Sequence, residues 1–252
     1  MKFLDKPFIP NKKVKLVLVD KRIPEDIENE LKNKKIQIIK TCECTNLYNA
    51  IKYHPDIQIC YLGENNVVVA PNVYEYYKCI LKYYGLNVIK GNSFLENKYP
   101  QNIAYNVAIF GKYAVHNFKY TEKNILDYIN KKNIIKINVK QGYSKCSICI
   151  VDENSIITSD YGIHQEVVKH NIDSLLIEKG HIDLFEMNYG FIGGSTGFIS
   201  ENELAFLGDI TKHVDYIKIK KFLDKKGKKI VILSKNKLID LGSIIPIMTR
   251  KE

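Results

Sequence analysis

Val67-Val68-Val69-Ala70, then Asn72 to Tyr84, then Leu86-Asn87-Val88-Ile89 follow one another in a single short stretch, and this stretch decides the fold. The β-branched run ends a hairpin. The segment after it spaces its apolar side chains as a helix does, and the four residues beyond Gly85 read as another strand. The same order recurs three times. Ile103 to Phe110 and Tyr113 to His116 precede a helix from Thr121 to about Lys131 and a strand from Ile134 to Val139. Ser147 to Asp152 and Ser155 to Thr158 precede a helix near His164 to His170 and a strand from Ser174 to Ile177. Gly190 to Ser200 and Glu203 to Gly208 precede a helix from His213 to Lys225 and a strand from Lys229 to Leu233. Each unit is hairpin, helix, strand, with a period of roughly 40–50 residues.

The chain ends supply the parts of a fifth unit. Leu238 to Ile247 is a strand with no hairpin partner after it. Val14 to Val19 is a strand with none before it, followed by a helix from Pro24 to Lys34 and a strand from Ile36 to Ile39. Pairing the two segments completes the unit and removes the edges that an open array exposes. The expectation is one domain over residues 1–252, an α/β fold built as a five-unit α/β propeller, its ring closed by the N- and C-terminal strands. An α/β sandwich of irregular strand order is the competing architecture.

Composition agrees with a folded chain: 45% of the 252 residues are hydrophobic and 26% charged. No run of eighteen apolar residues offers a membrane span, and Met1 to Pro7 lacks a secretory h-region, so a cytoplasmic protein is expected. The net charge of +10 invites a nucleic-acid partner, yet arginine occurs only at Arg22 and Arg250. Guanidinium forks dominate phosphate and guanine recognition, so the lysine excess argues against one. The lysines from Lys218 to Lys229 read as the solvated face of an amphipathic helix.

Six cysteines in an unsecreted chain do not suggest a disulfide framework. Cys60 and Cys79 read as core residues. Cys146 and Cys149, read within one strand, would point to opposite faces, which a single metal ion could not bridge. Neither a metal nor another cofactor is expected.

Chemistry gathers where each unit approaches its inner strand: His54-Pro55-Asp56, Gln101 to Asn106, Gln141 to Cys146, Gly190 to Ser195 and Asp240 to Ile245. A His, two Asp and a Cys thereby reach equivalent places in three units. His54-Pro55-Asp56 resembles an H-x-D motif. Gly142-Tyr143-Ser144-Lys145-Cys146 resembles a glycine-led approach to a nucleophilic cysteine, and Asp240-Leu241-Gly242-Ser243 resembles an E-G-G motif with Asp for Glu. Together they resemble the pentein superfamily of guanidino-group-modifying enzymes, in a bacterial branch with permuted motif order.

That resemblance implies a Cys-dependent hydrolase or transferase acting on a small cationic guanidine or amidine. It implies Cys146 as nucleophile, His54 as acid and base, and Asp240 as the carboxylate holding the imidazole. Asp56 would pair with the substrate, with Asn106 and Gly194 at further substrate positions. Where the family has a second acidic side chain, this sequence has Gly193-Gly194. Lys145, adjacent to Cys146 in a presumed strand, is expected to face away. His181-Ile182-Asp183 is a second H-x-D, set about ten residues ahead of its strand and ranked below the first. His116, His164, His170 and His213 read as surface residues. The rival function is a non-catalytic protein of the same fold that binds a ribosomal or other macromolecular partner.

Overall fold

In the computed structural model, which describes residues 1–251, the five longer helices each bury two apolar side chains one turn apart. The pairs are Ile27 and Leu31 in α1 (Glu25–Asn33), and Tyr77 and Leu81 in α3 (Tyr74–Tyr83). They continue with Ile125 and Ile129 in α4 (Lys123–Lys131), Ile163 and Val167 in α6 (Tyr161–Val168), and Ile219 and Leu223 in α7 (Tyr216–Lys225). Side chains at i and i+4 share a helix face, so each helix lays one narrow apolar stripe on its sheet. Two one-turn helices, α2 (Pro55–Gln58) and α5 (Ser144–Ser147), belong instead to the site.

All five long helices stop in the same way. Lys35, Gly85, Asn133, Asn171 and Gly227 take positive φ just past the last turn. The next amide donates back to the carbonyl of Leu31, Leu81, Ile129, Val167 or Leu223, at 2.9 to 3.3 Å. This six-to-one closure satisfies a carbonyl that the helix end would leave unpaired. It turns the chain directly into the outer strand of the unit.

The strands form five separate sheets. One joins β4 (Ile59–Gly63), β5 (Asn66–Val69) and β6 (Asn87–Lys90). A second joins β7 (Ala108–Phe110), β8 (Tyr113–His116) and β9 (Ile135–Asn138). The next two join β10 (Ile148–Asp152), β11 (Ser155–Thr158) and β12 (Asp173–Leu176), and β13 (Thr196–Ser200), β14 (Glu203–Phe206) and β15 (Lys229–Ile232). In each, the first two strands are antiparallel and the third is parallel to the second.

The fifth sheet draws on both chain ends. In it β16 (Ile245–Thr249) lies between β1 (Lys2–Phe3) and β2 (Val14–Val19), and β3 (Gln37–Lys40) runs parallel to β2. Ile245 faces Leu18 and Pro246 faces Val17. The terminal strand is shorter than the Leu238–Ile247 expected, because residues 238–244 bond to other segments; Ile244 N–H, for example, donates to Thr196 O at 3.0 Å.

First strands are buried along most of their length, while β6, β9 and β15 alternate or face solvent. That difference explains why inner segments read as continuous apolar runs. The inner strands also touch across sheets, β7 with β10, β10 with β13, β13 with β2 and β16, and β16 with β4. No helix among the described residues is long and apolar enough to cross a membrane.

Candidate active site

Four of the expected site residues sit just ahead of a first strand rather than in it. His54 is extended before Pro55, as a residue preceding proline must be, and Pro55 opens α2, which carries Asp56. Cys146 lies in α5, immediately before β10. Asp240 lies in the irregular approach to β16. These one-turn helices replace the strand starts read from the sequence, and they change where neighbouring side chains point.

Cys146 is buried, and its Sγ–H donates toward both Asp56 carboxylate oxygens at 3.2 Å. Asn106, fully buried, holds the thiol from behind. Its Nδ2 donates to Cys146 Sγ at 3.2 Å and to the Asp56 carbonyl at 2.9 Å, while its Oδ1 accepts the Lys145 and Cys146 amides at 2.8 and 3.2 Å. Burial, and then the charges of Asp56 and Asp240, push the Cys146 thiol well above its usual range. Burial likewise raises Asp56, opposed by the Lys145 charge.

Asp240 is also buried. The Phe191 and Gly242 amides donate to its two oxygens at 2.9 and 3.0 Å. Burial and the Asp56 charge outweigh those donors and raise its carboxyl to about 7. The His54 imidazole lies between two carboxylates, Nδ1 at 3.9 Å from Asp240 and Nε2 at 4.0 Å from Asp20. Neither ring nitrogen has a hydrogen-bond partner in the protein. Burial, and then the Arg22 charge, lower it to about 3, so the imidazole is neutral at physiological pH. One donor atom each from His54, Cys146 and Asp240 falls within 4.8 Å of the others, close enough for a thiophilic cation to be held there as well.

These three residues line a pocket of about 240 Å³ with Tyr48, Tyr143 and Phe191. The remaining wall comes mainly from Ile51 and the segment from Leu184 to Tyr189. A larger cleft, about 400 Å³, lies between Asp5, Lys6, Asp152, Glu153 and Lys228. It contains none of the Cys, His and Asp set, so the smaller pocket is the chemical one.

The remaining expectations are redistributed. Asp56 and Asn106 stand behind the thiol and are not on the pocket wall. Gly194 is not on the wall either. A Cβ there would overlap the Asp240 carboxylate, so the glycine makes room for that acid. Lys145 does not face away: in a helical turn, adjacent side chains are about 100° apart, not opposed. It is buried, and its ammonium donates to Ser243 Oγ at 2.8 Å; Ser243 in turn donates to Asp56 at 2.8 Å. His116 is buried between Thr121 and the Gly142 carbonyl, and His213 is buried too, whereas Cys79 is exposed. His181 packs on His213, outside the pocket.

Asp20 and Arg22 were not legible as site residues. Asp20 directly follows β2 and is fully buried. Its carboxylate receives the Arg22 guanidinium at 3.1 and 2.7 Å, and that guanidinium stacks between Tyr53 and Phe185. Burial still raises the Asp20 carboxyl. The available signal was Arg22 itself, one of two arginines, placed two residues after an acid.

Five small hairpin–helix–strand sheets with their polar groups gathered ahead of the inner strands form the pentein fold, which solved guanidino-group-modifying enzymes share. An inosamine-phosphate amidinotransferase from Streptomyces griseus superposes with a TM-score of 0.59 at 8% identity, over 100% of this chain and 98% of that one. DDAH from Pseudomonas aeruginosa gives 0.56 at 6% identity, over 89% and 92%. The agmatine deiminase of C. jejuni gives 0.53 at 13% identity, over 91% and 90%. Within that fold the chain belongs to the family of unknown function DUF6873, whose model matches residues 18–245. No curated protein matches it.

Proposed function

We propose that the chain is a cytoplasmic, thiol-dependent hydrolase or amidino-transferase for a small guanidine or amidine, with its five units closed into a propeller ring over residues 1–252. The observation that carries this reading is the meeting of Cys146, His54 and Asp240 at the floor of one pocket, within 4.8 Å of one another. The chain ends paired in one sheet support the closed ring.

The resting thiol is protonated, because burial and two carboxylates disfavour a thiolate. A cationic head group acts against that penalty. An amidinium about 4 Å from sulfur contributes about 4 kcal/mol at an effective dielectric of 20, roughly three pKa units. Substrate arrival eases the ionisation of Cys146, whose proton passes to His54. The thiolate attacks the amidine carbon, and the C=N electron pair moves onto nitrogen. His54, protonated in this step and flanked by Asp20 and Asp240, donates to the departing amine as the C–N bond breaks. The covalent adduct, a thiouronium from a guanidine or a thioimidate from an amidine, is then attacked by water or by an acceptor amine, and either one loses a proton to His54. The thiolate leaves and takes its proton back. Asp240, on the wall, meets the cationic head, while Asp56 holds the thiol. Asp240 thus takes the substrate contact that the motifs implied for Asp56, and Asp56 takes the thiol.

The test is alkylation by 2-chloroacetamidine, in which thiolate displaces chloride, followed by peptide mapping. Cys146 should react at least about tenfold faster with this cation than with neutral 2-chloroacetamide, since the two differ chiefly in attraction to Asp240. Cys146→Ser should abolish the adduct and Cys149→Ser should not. Labelling spread over exposed Cys79 and indifferent to probe charge and His54→Ala would reject the enzyme and leave the macromolecular binder.

A further inference from the structure

Chemistry on the pocket floor selects a cationic head; the walls select what is attached to it. Seven of the eleven lining residues are aliphatic or aromatic, and Asp240 is the one carboxylate. Among the described residues, no lysine or arginine lines the pocket. The nearby cations are committed elsewhere. Arg22 is bound to Asp20 and to the carbonyls of Asn49 and Ala50, at 2.7 and 3.0 Å. Lys145 is bound to Ser243 and does not line the pocket.

We infer, resting on the reading above, that the substrate is an amidine or guanidine bearing one aromatic ring and no carboxylate. An anionic tail would be desolvated against phenyl and phenol rings with no cation to receive it, and would be repelled by Asp240. A flat ring, in contrast, meets Tyr48, Tyr143, Tyr189 and Phe191. The last two are already set edge to face, with centroids 6.4 Å apart at 89°. Size limits the tail to a single ring: about 240 Å³ lies below the roughly 300–1,000 Å³ of pockets for drug-sized ligands. Met187, half exposed, adds a flexible apolar contact at the wall.

The experiment measures how benzamidine, agmatine, L-arginine and guanidinium ion each protect Cys146 from 2-chloroacetamidine, with calorimetric titration of benzamidine alongside. Benzamidine should protect at a concentration at least about tenfold lower than L-arginine, the cost of an unpaired carboxylate in an apolar wall. Tyr189→Ala, at a half-buried position, should weaken benzamidine about fivefold and leave guanidinium ion unchanged. Selective labelling of Cys146 with L-arginine or agmatine protecting as well as benzamidine would overturn the aromatic substrate and keep the thiol chemistry. If Cys146 is not selectively labelled, the thiol chemistry falls. Benzamidine binding that is lost in Asp240→Asn would then still support the ligand class, and no measurable binding would overturn it.

Discussion

Replacing Asp240 by Asn should make the protein's stability depend on pH in a way that isolates one carboxyl. The folded carboxyl titrates near 7, against 3.8 for an unburied one. Between those values the unfolded chain has lost a proton that the folded chain keeps, so the wild type loses stability as pH rises, by about 1.4 kcal/mol per pH unit. Below 3.8 both states are protonated and the term is absent; above about 7 it is constant. Over the roughly three units between, the total comes to about 4 kcal/mol. Asn cannot ionise and escapes this loss. It instead carries a fixed cost of about 1–3 kcal/mol, because the Phe191 or Gly242 amide meets an NH2 group.

The variant's stability relative to wild type should therefore climb by about 4 kcal/mol from pH 4 to pH 7 and then level off. His54 hides this in the wild type. Its folded pKa of about 3, against 6.5, supplies stability that is full above 6.5 and lost as pH falls toward 3, the opposite slope over most of the same window. Urea titrations of both proteins at half-unit pH steps, compared by difference, cancel most of the His54 contribution and read that of Asp240 with the groups its charge reaches. A difference constant within about 1 kcal/mol between pH 4.5 and 7 would refute the claim that burial and Asp56 crowd this carboxyl.

Gly194→Ala should displace the Asp240 carboxylate, at a cost of about 1–3 kcal/mol in urea unfolding, and should reduce chloroacetamidine labelling at Cys146 more than tenfold. Unchanged labelling kinetics would mean that Asp240 does not draw the cation. Asn106→Ala removes the acceptor of the buried Cys146 amide and a donor to the Asp56 carbonyl. A loss of about 2–5 kcal/mol is expected in the same unfolding assay, and a loss below about 1 would show that the thiol is held by other means.

The repeat was legible because its physics is local. Apolar pairs four apart, such as Ile125 and Ile129, mark the helix face, and continuous runs such as Ile148 to Val151 mark a buried strand. The convergence of His54, Cys146 and Asp240 followed from reading the units as equivalent. What failed was conformation at the approaches. Nothing in the periodicity of Ser144 to Ser147 separates one helical turn from the start of a strand, so Lys145 was expected on the wrong side. Cys79 sits between Tyr77 and Leu81 on α3, and helical geometry turns it outward, although its neighbours are apolar. His116 is buried because Thr121 and the Gly142 carbonyl satisfy it, a long-range fact that composition cannot report. The pairing of Asp20 with His54 likewise depends on tertiary placement.

The sheet shared by the chain ends also sets an order of events during synthesis. Pro246 meets Val17 only after more than two hundred intervening residues exist, and closing a loop that long costs about 5 kcal/mol of chain entropy. The other four sheets are each assembled within a single continuous segment and can form as the ribosome releases them. β2 must wait, with its antiparallel partner still unmade. Asp240 arrives in the same late segment, a few residues before β16. The nascent chain therefore holds Cys146 and His54 before it holds the acid beside them, and the step that seals the last sheet also completes the pocket.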